Sequence, residues 1–444
     1  MPTYTFGEHD GSVREVSTHP TNPNLCLTCN DDGQVFLIDL RLPSPQLAGA
    51  GYMLDQVASS PWNPNPSDGN TFAIASGRDH RASVALYDVR TAFHSSLAPI
   101  DKAQALVRYA SQVVCRFEGH TISASPDTTG AQFDPSGRFI VAEMSLSQPV
   151  LYATDDSMPL ATMSSRLWHP SPPISDDAGA GYRNSCTIKR GSFGFESLAG
   201  QLYFVAGSDD FRAYGWEVPG MEALREQRTE LSALDWAAHT SENTVWFRGL
   251  EHGAMVLPCD LSSPAFTLEG SQSIVNSALC HPTLPMIATA GIERMIRLHY
   301  ATPMSMEHTR NDYAQVRPRT RTRSSTIDMA AVARAMRRHV PSHAVSDSDA
   351  EEENIPSRSS SAQDTTTSSA EPTAAELADQ ETIALFDQLL EDEEGRTLFV
   401  PYEFHLSDSS DTDSIDTVAI DSMWATPSPS SSSSSASVTS GVEA

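Results

Sequence analysis

The chain has 444 residues, a formal net charge of −28 and 29 prolines. That acidity argues against nucleic acid as a direct partner, because a phosphate-binding face needs clustered basic side chains. Six scattered cysteines and the absence of an apolar leader or a long apolar run give the expectation of an intracellular, reduced protein of the nucleus or cytoplasm with no membrane span.

In chain order, the first element is a short apolar run, LCLTC, followed by the polar turn and alternating run NDDGQVFLIDLR, Asn30 to Arg41. FAIAS and DHRASVALYDVR, Asp79 to Arg90, repeat the arrangement. SGRFIVAE with PVLYAT is a copy with its turn rewritten. LYFVAGSDDFRAYGWEVP is a further copy, and MIATAGIERMIRLHY a weaker last one. Each unit reads as strand, tight turn, strand, with the turn residues that hairpins require. The copies recur at about 50 to 80 residues, and the excess over about 40–45 is loop insertion. Short strands at that period predict an all-β fold, a β-propeller over residues 1–300.

Beyond residue 300 the composition changes. Arginine dominates about 310–340, in RPRTRTR and RAMRRH, and reads as a charged linker or a nuclear-import signal. Acidic and serine-rich sequence fills 345–444, beginning with SDSDAEEE, an acidic-directed phosphorylation pattern. Such a segment buries too little apolar surface to offset its ordering entropy, so 301–444 is expected to be a disordered tail. Within it, Ile383, Leu385, Phe386, Leu389 and Leu390 share a helical face and predict a short helix over 381–394.

Within a WD40 blade, His9, Thr28 and Asp32 are spaced to form a buried polar chain, and buried polar groups must be paired. Asp32 and Asp210 fall in hairpin bends. The tryptophan that ends such a chain is replaced by Ile38 in the first copy and kept as Trp216 in a later one. These five residues (His9, Thr28, Asp32, Asp210 and Trp216) therefore read as structural rather than catalytic.

The motifs HDGSVREVSTHPTNPNLCLTCNDDGQVFLIDLR, NSCTIKRGSFG, YFVAGSDDFRAYGWEVP and SIVNSALCHPTLPMIATAGIERMIRLH occur in this order. In that order they resemble the WD40 substrate receptors of cullin-4 RING ubiquitin ligases, the DDB-one- and cullin-four-associated factors numbered five, six and eight. The likeness covers about residues 5–300. It implies a seven-bladed propeller, whereas about five copies are present and the first is similar to a middle blade of the family. Three alternatives stay open: an incomplete gene product, an open propeller, or missing strands supplied by 220–270, where TVWFRG and GAMVLPCD are strand-like.

The resemblance also gives a role to IDLR and YDVR. It implies WDxR boxes on two successive blades, with Asp39, Arg41, Asp88 and Arg90 facing the adaptor that joins the propeller to cullin-4. Guanidinium suits that task because it is always charged and bonds in a fork. Ile38 and Tyr87 stand where the motif has tryptophan.

No chemistry is expected. Cys26 and Cys29 sit three apart in a strand, on opposite faces, with no second pair to complete a zinc site. His19-Pro20 and His281-Pro282 occupy matching places in two copies and read as turn elements. No glycine-rich phosphate loop and no Gly-x-Ser-x-Gly elbow occur. The chain is thus read as a non-catalytic scaffold without metal or cofactor, binding the ligase adaptor and a protein substrate. The alternative is a general WD40 scaffold of a nuclear chromatin or RNA-processing complex.

Overall fold

The computed structural model describes residues 5–300, apart from 43–46, 54–55, 66–68, 77–82, 94–96, 101–103, 118–119, 166–180, 196–199, 240–243 and 251–252, together with residues 380, 382–384 and 386. The basic run and the serine-rich end of the sequence lie outside the described residues.

The fold is all-β. Four antiparallel strands make the first blade: β1 (Val13–Thr18), β2 (Leu25–Asn30), β3 (Gln34–Asp39) and β4 (Gly49–Tyr52). The turn between β2 and β3 is tight because Gly33 takes a left-handed φ of 83° that side-chain-bearing residues avoid. The second blade repeats the order with β5 (Val57–Ser59), β6 (Thr71–Ser76), β7 (Val84–Asp88) and β8 (Val107–Tyr109). Each blade starts at its innermost strand and works outward, and its successive turns alternate between the two ends of the strands.

Next in the chain come β9 (Val113–Phe117) and β10 (His120–Ala124), which belong to no blade. The third blade is β11 (Thr128–Phe133), β12 (Phe139–Met144), β13 (Val150–Ala153) and β14 (Pro159–Thr162). The fourth begins with β15 (Ser192–Gly194), β16 (Leu202–Gly207) and β17 (Ala213–Val218). Before its outer strand β22 (Phe266–Leu268), the chain inserts β18 (Thr229–Leu231), β19 (Trp246–Arg248), β20 (Met255–Leu257) and β21 (Cys259–Asp260). The fifth blade has three strands among the described residues: β23 (Val275–Cys280), β24 (Met286–Gly291) and β25 (Arg297–Tyr300).

The strand-like sequence of 220–270 does not supply a further blade. β18, β19 and β20 join β9 and β10 in a separate five-stranded sheet, and β21 adds in parallel to the outer edge of the third blade. That extra sheet is anchored by Val113 and Phe247, which share a core with Val84 and Leu86 of the second blade and Ile140 and Tyr152 of the third.

The innermost strands follow one another from blade to blade, β1 beside β5, β5 beside β11, β11 beside β15 and β15 beside β23. Apolar cores lie between neighbouring blades. Leu27, Cys29 and Val35 of the first blade pack with Val57, Phe72 and Ile74 of the second. Val141, Leu151 and Leu160 of the third pack with Phe204, Tyr214 and Trp216 of the fourth. Among the described residues, Val13 and Val16 on β1 and Leu279, Leu298 and Tyr300 on the fifth blade are exposed.

One guanidinium ties several blades together at their inner strands. Arg190 donates from Nη2 to the carbonyls of Arg14 (3.2 Å) and Ala58 (3.0 Å), and its Nη1 lies 3.4 Å from Glu15. Glu15 in turn accepts from the Ser59 hydroxyl and the Ser60 amide, both at 2.6 Å. Close by, Glu143 is fully buried, and burial pushes its carboxyl up to about 8 against the opposing pull of Arg190 and Lys189.

Candidate functional site

Asp39 and Asp88 occupy the same place in consecutive blades, the last residue of the third strand. Each carboxylate first serves its own backbone. Asp39 Oδ1 accepts from the amide of Arg41 at 3.0 Å, and Asp88 Oδ1 from the amide of Arg90 at 2.8 Å. Asp88 thereby caps the short helix Val89–Ala92. The same carboxylates then receive the guanidinium groups. Arg41 donates from Nε to Asp39 Oδ1 (2.9 Å) and from Nη2 to Oδ2 (2.6 Å). Arg90 donates from Nε to Asp88 Oδ1 (2.9 Å) and from Nη2 to Oδ2.

The D-x-R sequence thus folds into one local device, twice. The aspartate is held by the turn, and the arginine is held by the aspartate. Only 12% of each aspartate side chain is exposed, against 62% for Arg41 and 69% for Arg90. The fork holds the Asp39 carboxyl at about 2 and lowers that of Asp88 in the same way. What reaches solvent is a pair of cations with their planes fixed in advance. A partner's carboxylate or carbonyl then meets a guanidinium whose rotamers are already restricted. Ile38 and Tyr87, one residue before each aspartate, are 3% and 1% exposed and belong to the blade cores.

Other residues singled out in the sequence lie within or beside the blades. His9 Nε2 meets Thr28 Oγ1 at 2.7 Å, and the His9 ring stacks on Phe36 at 4.4 Å. Burial lowers the His9 pKa. Asp32 does not continue this chain: it is exposed in the β2–β3 turn. The polar connection runs instead from the buried Asn30 and Gln34 out to the exposed Asp10, with Asn30 Nδ2 donating to Gln34 Oε1 (2.8 Å) and Gln34 Nε2 to Asp10 Oδ2 (2.7 Å).

In the fourth blade Asp210 accepts from the Gly181 amide (3.0 Å) and the Tyr214 hydroxyl (2.6 Å). Trp216 is buried and donates Nε1–H to the Ser164 carbonyl at 2.7 Å, so its partner is a neighbouring backbone and not a histidine chain.

The neighbouring aspartate, which sequence reasoning missed, is the hub. Asp209 accepts from the amides of Ser185 (2.6 Å) and Cys186 (3.0 Å) and pairs with Lys189 Nζ, both side chains fully buried. Lys189 also donates to the Thr187 carbonyl (2.9 Å) and hydroxyl (2.7 Å). The NSCTIK stretch is therefore folded around one carboxylate.

His19 and His281 act as matching turn caps. Each Nδ1 accepts two backbone amides at 3.1 and 3.0 Å, from Thr21 and Asn22 in one case and Thr283 and Leu284 in the other. Cys26 and Cys29 both lie in β2, and burial pushes the Cys29 thiol up to about 12. Among the described residues no cluster of three or more histidine, cysteine, aspartate or glutamate side chains is arranged to hold a metal. No described helix is long and apolar enough to cross a membrane.

Comparison with known proteins agrees with this architecture. Residues 1–39 match the family "WD domain, G-beta repeat" (WD40). The blades and this match define the class: a WD40-type protein-interaction scaffold. More particularly, the chain is similar to the DDB1- and CUL4-associated factor 5 of Mus musculus and of Homo sapiens, 24% identical in each case over 303 residues. The aligned part is 65% of this chain and 23% of each relative, so the chain spans about a quarter of their length.

Proposed function

We propose that this protein is a substrate receptor of a cullin-4 RING ubiquitin ligase, and that Arg41 and Arg90, each oriented by Asp39 or Asp88, contact the DDB1 adaptor. The observation that carries the reading is the duplicated fork. Two consecutive blades present the same exposed guanidinium at the same end of the same strand. A generic blade needs the aspartate for its turn and has no use for the arginine. The names of the similar proteins point to the same adaptor. The receptor itself performs no reaction on this reading. It raises the local concentration of a bound protein near the ligase.

The test is binding of purified DDB1 to the full chain and to the double variant R41E/R90E. The expected result is a loss of at least tenfold in affinity with unchanged circular dichroism and an unchanged unfolding midpoint. Equal affinity of the two chains overturns the assignment and favours a scaffold of a different assembly.

A further inference from the structure

At the end of the strands opposite Arg41 and Arg90, the fourth and fifth blades form an apolar surface. Phe211 lies in the β16–β17 turn, Ile274 immediately precedes β23, Ile292 immediately follows β24, and Cys186 comes from the NSCT loop. The four make one cluster, and a fifth member comes from far along the chain: Phe386 packs against it. Residues 380, 382–384 and 386 are helical. Their exposure alternates as a docked helix requires, with Thr382, Ile383 and Phe386 half-buried and Gln380 and Ala384 exposed.

A second feature of this cluster is the backbone at Phe211, one of three described non-glycine residues with a left-handed φ. Gly33 and Phe211 occupy equivalent positions in the hairpin turns of the first and fourth blades, and both have a left-handed φ, 83° and 71°. Glycine adopts that conformation without strain, whereas phenylalanine does not. Backbone strain of this kind persists where the surroundings hold it and concentrates at contact and functional sites. The strained residue here is the one whose ring lies with Ile274 and Phe386.

We propose that this surface is a docking site for an amphipathic helix, and that its resident ligand is this chain's own segment around Ile383 and Phe386. The chemistry of the ligand follows from that segment. An aromatic residue three positions after a β-branched one provides the half-buried stripe. Because site and ligand are on one polypeptide, the contact is intramolecular, and modest intrinsic affinity is enough to keep it formed. An external helix of the same pattern would have to displace it. The surface and the forked arginines lie at opposite strand ends, so this inference does not depend on the adaptor assignment.

The test uses the full-length chain, its F386D variant and its F211G variant, with a fluorescein-labelled synthetic peptide spanning residues 376–395. F386D alters only the ligand. F211G keeps the turn's backbone conformation while removing the receiving ring. In F386D, amide hydrogen exchange is expected to accelerate at 208–212, 273–276 and 291–293, and the peptide is expected to bind at least tenfold more tightly than to the unmodified chain. Added peptide should restore the protection. F211G should accelerate exchange at 380–386 and bind the peptide weakly. Unchanged exchange in F386D, or equal peptide affinity for the unmodified and F386D chains, overturns the proposal.

Discussion

Carboxylate–cation pairs hold two parts of this molecule, and the two parts use them in opposite ways. In the fourth blade Asp209 and Lys189 are wholly buried and every contact is internal. At the ends of the first two blades Asp39 and Asp88 are mostly covered while Arg41 and Arg90 reach into solvent. A buried pair is worth little over an apolar replacement, but breaking it leaves an uncompensated charge. An exposed pair adds little stability. The difference separates charge that specifies a fold from charge that can specify a partner.

The comparison can be broken at several points. The largest effect is expected from Lys189→Met, which strands the Asp209 carboxylate and should cost roughly 3–5 kcal/mol in urea unfolding. Equal stability of variant and parent would remove Asp209 from its place as hub.

Glu143→Gln comes next and is pH-dependent. The folded-state pKa of Glu143, about 8, lies above that of an ordinary carboxyl. The folded protein therefore keeps a proton that the unfolded chain releases. This stability is fully present below the unfolded pKa and is lost as pH rises towards 8, with a slope of up to about 1.4 kcal/mol per pH unit. Glutamine cannot titrate, so the gap between variant and parent should widen from pH 5 to pH 8 in favour of the variant. Parallel pH–stability curves would show that Glu143 does not titrate in this range.

Trp216→Phe keeps most of the packing but removes the indole hydrogen bond to the Ser164 carbonyl, an expected loss of about 1–2 kcal/mol by the same unfolding assay. The smallest effect on folding belongs to R41A and R90A. Neither should shift the unfolding midpoint measurably, and only adaptor binding should respond. A clear fall in midpoint would make those arginines structural and erase the contrast.

The hairpins were legible because turn residues and apolar alternation are local. LCLTCNDDGQVFLID and LYFVAGSDDFRAYGWEV pair as β2–β3 and β16–β17, as their patterns predict. Which of two adjacent aspartates pairs with the buried lysine was not legible, since both side chains turn inward. Asp209 and Asp210 are the same residue type at neighbouring positions, and only the NSCTIK loop, more than twenty residues away, selects the first. Asp32 is exposed for a related reason, since Asn30 and Gln34 satisfy the polar connection that an aspartate was expected to make. The extra sheet escaped sequence reading because β9 pairs with β19, about 130 residues later, and no local pattern encodes such a partner. Glu143 carried a signal: a carboxylate within FIVAEM, a strand buried along its full length.

The Arg190 guanidinium has a consequence for how the molecule comes apart. Repeat proteins whose units touch only their immediate neighbours can fray one unit at a time. Here a residue leading into the fourth blade bonds to backbone of both the first and the second. Melting of any one of these units removes a bond from another, so their unfolding is expected to be coupled rather than independent.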